Sequence, residues 1–290
     1  MEAKFNNISN IYSVFEILKD VKVDQTLNFK KSGIEIKDVS TDRTLVFEFI
    51  INGKNLVSYK YDGTVSKIGI STLYLCQVLK MIEKDTIMSL KVKSGITNKL
   101  IIQSKNQNCT KETNIEIDTN DSEYSENKEI IQINNVFYIS MKNDEFYKTL
   151  THFKNFGNSV VTIICTENVF RLECDSNNIK TNQEYAYDPK SCADCPDSIK
   201  IKYLGNDKLV KPIMATYSID SILKFKKCTK LCSMIEINIA ENKLITLQHD
   251  VGNIGKLKTI ISPTNRGSSK EENVGQEINY EDEYMDDDFL

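Results

Sequence analysis

The chain has 290 residues, of which 40% are hydrophobic and 27% are charged, a composition typical of a globular protein of about two domains. No apolar run approaches the ~20 residues of a membrane-spanning helix, and the first ten residues lack the regions of a secretory signal. The eight cysteines are irregularly spaced, which predicts free thiols in a reducing compartment.

The formal charge is divided unevenly along the chain. Residues 264–290 contain nine acidic and two basic residues, a net charge of −7, whereas the whole chain carries −4. Residues 1–263 are therefore mildly basic, at +3. The composition of this acidic segment, residues 264–290, is typical of disorder. It also places aromatic side chains among the acids, as either a docking peptide or a solubilising segment would.

A helix followed by two strands is the predicted unit of the fold, and the pattern occurs four times. From Leu75 to Ile82, apolar residues recur at i, i+3, i+4 and i+7, the spacing of an amphipathic helix. Apolar and polar residues then alternate over residues 87–93, which predicts a strand. A turn at Ser94-Gly95 and the apolar run after it predict a second strand that pairs with the first. The four copies are Asn10–Val39, Ser71–Lys105, Asn143–Asp175 and Ser218–Asp250.

Further strands fill the sequence between these units. Thr44–Ile51 is a near-continuous apolar run, and the Asn52-Gly53 pair after it predicts a tight hairpin. The apolar positions of the fourth helix continue to Phe225. Together these elements predict an α+β protein whose antiparallel sheets are built from hairpins and meanders.

A polar stretch that begins at Thr119 and lacks apolar periodicity predicts a boundary between two domains. The pattern of strands and helices is similar on either side of it. The predicted parts are an N-terminal domain, a connector, a C-terminal domain and the acidic segment, at residues 1–118, 119–134, 135–263 and 264–290.

The sequence predicts neither a catalytic site nor a metal site. It has no phosphate-binding glycine loop and no nucleophile motif, and its two histidines, His152 and His249, are isolated. Cys192 and Cys195 have the spacing of half a zinc site, but no matched second pair accompanies them. We therefore expect a protein that is not an enzyme and that needs no cofactor and no metal.

Lysines recur on the four predicted helices, away from the apolar stripes. A lysine face on one helix is most often a solvated surface, but four equivalent faces favour a shared surface for a polyanion. Lysine is a flexible point charge that suits transient phosphate contacts. The candidate contact residues are Lys19, Lys22, Lys80, Lys84, Lys148, Lys154, Lys224, Lys227 and Lys230.

Short stretches in or after the first three helices, and at the end of the fold, share their order and spacing with a known family. They are Phe15–Asp20, Ser32–Ile36, Leu79-Lys80, Glu145-Phe146 and Asp250–Pro263. Over nearly all of residues 1–263, the chain thus resembles the eukaryotic-type sliding clamps, the proliferating cell nuclear antigen family. The added acidic segment and the many Asn and Lys residues favour a divergent, viral version of such a clamp.

The resemblance implies a DNA-clamp fold with two similar domains, antiparallel sheets outside and four short helices inside. Three chains would close head-to-tail into a ring around double-stranded DNA, held independently of sequence by the lysines named above. The family pairs edge strands of neighbouring subunits, here Cys109–Ile117 with Asn178–Tyr187. Such a ring is a processivity factor: it tethers DNA polymerase and other replication and repair proteins, and a clamp loader places it on DNA.

The family also has a hydrophobic pocket for partner peptides. The matching positions are Val39, Thr44, Val46, Ile261, Ser262 and Pro263. Thr44 is more polar than the family pattern. The third and fourth helices depart from it too, because Thr151, Asn155 and Asp220 stand where basic residues are usual.

Other functions remain open at this point. A clamp-like chain could belong to a hetero-ring of the checkpoint type, or it could be a viral transcription or accessory factor that tethers partners to DNA without self-trimerising. The acidic segment could occupy the peptide pocket or recruit partners itself. The function implies a location in the nucleus or at a viral replication site, and no membrane partner.

Overall fold

A computed structural model describes residues 1–6, 8–83, 86–92, 99–106, 112–120, 133–176, 179–188, 198–205 and 210–264. The helices in these ranges are α1 (Ile8–Val21), α2 (Thr72–Met81), α3 (Asn143–Asn155) and α4 (Ile219–Leu223). Short 3₁₀ turns occur at Gly53–Asn55 and Lys226–Lys230. None of the described helices has the length and apolar character needed to cross a membrane.

The strands up to residue 118 are β1 (Glu2–Phe5), β2 (Asp24–Lys30), β3 (Gly33–Val39), β4 (Leu45–Asn52), β5 (Ser58–Lys60), β6 (Lys67–Ser71), β7 (Thr86–Lys91), β8 (Lys99–Asn106) and β9 (Glu112–Asp118). Those that follow are β10 (Asn135–Lys142), β11 (Val160–Cys165), β12 (Val169–Asp175), β13 (Lys180–Ala186), β14 (Lys200–Tyr203), β15 (Ile213–Ser218), β16 (Met234–Ala240), β17 (Ile245–Val251) and β18 (Gly255–Ile261).

The predicted helix–strand–strand unit is present in all four places. After α1, strand β2 pairs with β3, and after α2, strand β7 pairs with β8. After α3, strand β11 pairs with β12, and after α4, strand β16 pairs with β17. Every one of these pairs is antiparallel. The α+β class and the repeated unit inferred from the sequence are therefore confirmed.

Within the described residues the strands form three antiparallel sheets. One has the order β5-β1-β7-β8-β9 and another the order β13-β12-β11-β15. The largest sheet, β14-β10-β16-β17-β18-β4-β3-β2-β6, takes strands from both halves of the chain. Strands β9 and β13 are each the last strand at one edge of their sheets.

The two halves are joined where β4 pairs with β18. Seven residue pairs run in register, from Leu45 opposite Ile261 to Ile51 opposite Gly255. Only glycine fits at position 255, because a Cβ there would lie 1.8 Å from the carbonyl oxygen of Ile50. The sheet thus continues across the chain's two halves without a break in hydrogen bonding.

The core lies between the sheets and the helices. In the nine-stranded sheet, Phe47, Leu247 and Ile237 lie level with one another on one face and are fully buried, whereas their neighbours in sequence face outward. Helix α1 packs against α2, and α3 packs against α4. The apolar stripe of α1, which includes Val14, Ile17 and Leu18, is buried.

The fourth helix is shorter than its apolar pattern predicts. α4 ends at Leu223, and a 3₁₀ turn replaces the α-helix over Lys226–Lys230. A continued α-helix would bring Lys226 and Lys230, four residues apart, onto the same face, which is unfavourable for like charges. The side-chain amide of Asn143 donates to the carbonyl oxygens of Cys228 and Cys232, at 3.1 and 3.0 Å, and so holds the turn in place.

The hairpin predicted at Asn52-Gly53 is wrong. β4 pairs with β3 and β18, whereas β5 pairs with β1 in a different sheet. The backbone N–H of Asn52 donates to the carbonyl of Ile254, and that of Gly53 to the carbonyl of Ser32. These two bonds carry the chain out of one sheet and into the next instead of folding it back.

A buried histidine lies on the core face of β17. His249 is fully buried, and its Nε2 atom lies 3.2 Å from the hydroxyl of Tyr147 on α3, with the two rings stacked. Its Nδ1 atom has no hydrogen-bond partner among the described residues. Burial lowers the pKa of His249 to about 3, so the ring is neutral in the folded protein near neutral pH.

This histidine should make folding stability depend on pH. The unfolded chain protonates it near its ordinary pKa of about 6.5, so the unfolded state binds the extra proton and stability falls as the pH drops from about 6.5 towards 3. Between pH 7 and pH 5, the native chain should lose ~2 kcal/mol of unfolding free energy through this histidine. His249→Gln should therefore lose ~2 kcal/mol less than the native chain over the same interval, measured by urea denaturation.

The matched control is His152→Gln, at an exposed position on α3. That variant should keep the native pH dependence. Equal pH dependence in the native chain and in His249→Gln would contradict the assignment of this effect to His249.

Candidate nucleic-acid and partner interface

The structure places the predicted contact lysines on or directly after α1, on α2 and α3, and after the end of α4, at Lys224 and in the 3₁₀ turn that follows it. Lys80, Lys148, Lys154 and Lys230 are exposed, whereas Lys19, Lys22, Lys224 and Lys227 are half-buried. Lys84 lies outside the described residues. These lysines therefore differ in how freely they can meet a ligand.

Two of these lysines bridge the halves of the chain. Lys227 Nζ lies 2.8 Å from Asp20 Oδ2 on α1, and Lys224 Nζ lies 2.5 Å from Asp42 Oδ2 in the β3–β4 loop. The hydrogen bond with Asp20 raises the pKa of Lys227. Each bridge joins the region around α4 to the N-terminal half, beside the β4–β18 junction.

Asp42 is the centre of a small polar cluster at this seam. It accepts hydrogen bonds from the hydroxyls of Ser40 and Thr44, at 2.5 and 2.8 Å, in addition to the bond from Lys224. Partial burial acts to raise the pKa of Asp42, but the bonds from Lys224, Ser40 and Thr44 together hold it well below its usual range. The carboxylate therefore stays charged and keeps Lys224 engaged.

Two further lysines are paired within one half of the chain. Lys154 on α3 lies 2.5 Å from Asp220 on α4. Lys22 lies 2.9 Å from Asp38, whose side chain is only 9% exposed. Lys80, Lys148 and Lys230 form no ion pair with any residue that the structure describes, so these three present the most available charge.

The predicted peptide pocket is split by the alternation of β4 and β18. Val39, Val46 and Ile260 lie opposite one another on three adjacent strands and share the outer face of the sheet. Ile261 lies level with Leu45 and faces the core. Ile260 was missed from the sequence, although the alternation of Leu257, Thr259 and Ile261 with their neighbours carries the signal.

The other predicted pocket positions are less apolar. Thr44 is exposed, and its hydroxyl lies 3.2 Å from the hydroxyl of Ser221 on α4 in addition to its bond to Asp42. Ser262 and Pro263 follow β18 and are half-buried. The apolar part of the site is therefore the row formed by Val39, Val46 and Ile260, in which Val39 and Ile260 are half-buried and Val46 is only 5% exposed.

Each half of the chain also has an edge strand backed by a helix. Helix α2 packs against β9 and leaves Leu73, Tyr74 and Met81 exposed by 45%, 58% and 73%. Helix α3 contacts β13, since the hydroxyls of Thr149 and Tyr185 lie 3.0 Å apart. Exposed backbone edges beside exposed apolar side chains are typical of protein interfaces.

Comparison with known proteins decides the family. Residues 1–125 match the description "Proliferating cell nuclear antigen, N-terminal domain", and residues 129–264 match "Proliferating cell nuclear antigen, C-terminal domain". The chain belongs to the proliferating cell nuclear antigen family. The resemblance inferred from the sequence, and the clamp fold that it implied, are thus confirmed.

Two relatives show how far this chain has diverged. It is 26% identical over 242 residues to a protein named "Probable DNA polymerase sliding clamp" from Acanthamoeba polyphaga mimivirus, with 81% of this chain and 48% of the relative covered. It is 20% identical over 268 residues to a "Proliferating cell nuclear antigen" from Chaetomium thermophilum, with 91% and 97% covered. The chain therefore spans about half the length of the mimivirus relative.

The cysteines of this family member are described in part. Cys76, Cys165, Cys174, Cys228 and Cys232 form no disulfide, and the described residues contain no cluster of three potential metal ligands. Burial raises the pKa of the Cys76 thiol to about 11 and that of Cys165 to about 12, so these thiols stay protonated near neutral pH. Cys192 and Cys195 lie outside the described residues.

The pairing of Lys22 predicts a structural role for this side chain. Lys22→Met leaves the carboxylate of Asp38 buried without this cation, so we expect a loss of roughly 1–3 kcal/mol in unfolding free energy by urea denaturation. The matched control is Lys19→Met on the same helix, which breaks no ion pair between described residues and should change stability by less than ~0.5 kcal/mol. Equal effects of the two variants would contradict this difference in role.

Proposed function

We propose that this chain is a DNA sliding clamp that assembles as a homotrimeric ring around double-stranded DNA. The observation that carries the proposal is the pair of edge strands β9 and β13, one in each half and each backed by a helix. A head-to-tail contact between two different edges forms a ring when its rotation closes, and the ring leaves neither edge unpaired.

The mechanism is topological and involves no covalent chemistry. A ring stays on DNA because it encloses the duplex, so its contacts can be weak enough to allow sliding. Contacts to phosphate carry no sequence information, which suits a protein that must move along any sequence. Lys80, Lys148 and Lys230 are the proposed main contacts, because the other described candidates are half-buried or held by carboxylates.

The proposed partners follow from the family and from the names of the relatives. They are DNA polymerase and other proteins that carry clamp-binding peptides, together with a clamp loader. We propose that these peptides bind over the row of Val39, Val46 and Ile260 on the outer sheet face. The working location would be the nucleus or a viral replication site. We likewise propose that the N-terminal domain ends at residue 118 and that the C-terminal domain begins after residue 134.

Ring assembly can be tested at α2. The native chain should have a solution mass of about 100 kDa by light scattering, three times 33.2 kDa. Tyr74→Glu with Met81→Glu places charge beside β9, where subunits would pack, and should shift the mass towards that of one chain. The control pair Val57→Glu with Met214→Glu changes side chains of similar exposure elsewhere and should leave the trimer intact.

A single-chain mass for the unmodified protein at all concentrations would overturn the homotrimer. It would favour a subunit of a hetero-ring or a tether that does not encircle DNA.

DNA binding can be tested through its salt dependence. Replacing Lys80, Lys148 and Lys230 by Gln should weaken duplex binding about tenfold or more at ~50 mM salt, and the slope of log K against log salt should become shallower by ~0.9 for each phosphate that the variant no longer neutralises. The control is the same removal of charge at Lys31, Lys200 and Lys256, which lie outside the helices. Equal weakening in the two triple variants would show that only net charge matters and would contradict the proposed surface.

A further inference from the structure

The most strongly basic stretch of the described surface follows α4. Lys224, Lys226, Lys227 and Lys230 fall within seven residues at the end of this helix and in the 3₁₀ turn, and we call them the lysine cluster. They line a surface groove of about 460 Å³, together with Asp20, Leu223 and Thr229. The groove thus combines several cations with an apolar wall.

The charges in this groove do not cancel. Asp20 and Asp42 pair with Lys227 and Lys224, and Glu16 on α1 also lies 4.0 Å from Lys227. Lys226 and Lys230 are exposed and form no ion pair with any described residue. An excess of positive charge beside an apolar side chain fits an anionic ligand that also carries hydrophobic groups.

The chain itself contains a segment of this chemistry. Its nine acidic residues include the runs Glu281–Glu283 and Asp286–Asp288, and Tyr280, Tyr284 and Phe289 flank or separate these runs. Acidic residues are therefore interleaved with side chains able to contact Leu223.

The attachment point of this segment lies within reach of the cluster. The backbone N–H of Thr264 donates to the carbonyl oxygen of Thr216 on β15, at 2.7 Å. Lys226 follows Thr216 by ten residues, so the two are at most about 36 Å apart, whereas the 17 residues from Thr264 to Glu281 can span up to about 56 Å. The acidic runs can therefore reach the groove of the same chain.

We propose that the acidic segment docks on the lysine cluster of its own chain and competes there with DNA phosphates. Because the segment is tethered, its effective concentration at the groove reaches the millimolar range without any strong contact. Duplex DNA carries one negative charge per ~1.7 Å of axis, and its charge density lets it displace the segment. Short or weakly charged anions would not displace the segment. The segment would therefore screen the lysine cluster against ligands of low charge density.

The docking itself does not depend on the proposed clamp function, but the competition with DNA rests on it. The first measurement is therefore lysine acetylation by acetic anhydride, read out by mass spectrometry on the full chain without DNA. The comparison is a neutral-segment variant in which all nine acidic residues of the segment become Gln or Asn. Docking should protect Lys226 and Lys230, so both should be acetylated about threefold faster in the variant at low salt, and equally fast in both chains at ~1 M salt.

Lys31, exposed in the β2–β3 turn, is the internal control and should react equally in both chains. Equal acetylation of Lys226 and Lys230 in the two chains at low salt would overturn the docking. Faster acetylation of Lys31 to the same degree would overturn it as well, because the effect would then be one of net charge.

The second measurement is duplex affinity at low salt. Neutralising the segment should strengthen binding about threefold in the native background, but not when Lys226→Gln and Lys230→Gln are also present. If neutralising the segment strengthened duplex binding equally with and without the two lysine substitutions, competition at this cluster would be overturned. Acetylation that shows docking, in a chain that binds no duplex at all, would leave the docking in place and overturn the proposed clamp function instead.

Discussion

The pairing of β4 with β18 is the contact on which the rest of the structure depends. It joins residues that are more than 200 positions apart, Leu45 and Ile261, in one hydrogen-bonded register. That register sets the α4 region against the N-terminal half, so that Lys227 meets Asp20 and Lys224 meets Asp42. It also aligns Val39, Val46 and Ile260 on the outer face. A one-residue slip in this pair would exchange the core and outer faces of β18.

The electrostatics of the helices are more restrained than a count of lysines indicates. Among the predicted contact lysines that the structure describes, carboxylates hold Lys22, Lys154, Lys224 and Lys227, and the exposed ones without a described ion pair are Lys80, Lys148 and Lys230. Since exposed charge pairs are worth little individually, a ligand of high charge density can still compete for these lysines. A surface of this kind favours weak, exchangeable contact, which is what a protein that slides along DNA requires. Docking of the acidic segment would weaken contact further until a duplex is present.

Local patterns were enough to predict the four helix–strand–strand units, because helical and strand periodicities are properties of neighbouring residues. They were not enough where distant contacts decide. Asn52-Gly53 has the composition of a hairpin, but hydrogen bonds to Ile254 and Ser32 carry the chain into another sheet. The fourth helix was predicted to reach Phe225, yet bonds from Asn143 hold a 3₁₀ turn in its place. The partners of the lysines could not be predicted either, because Asp20 and Asp42 lie about 200 residues away in sequence from the lysines that they hold. Ile260 could have been found, since strand alternation alone separates it from Ile261.

The proposed ring, in which three copies of this chain enclose a duplex, is tested most directly by electron microscopy of the unmodified protein. Negative-stain class averages should show closed rings with three-fold symmetry and a central opening wide enough to admit B-form DNA. Particles of a single chain, or compact assemblies without a central opening, would contradict the proposed ring.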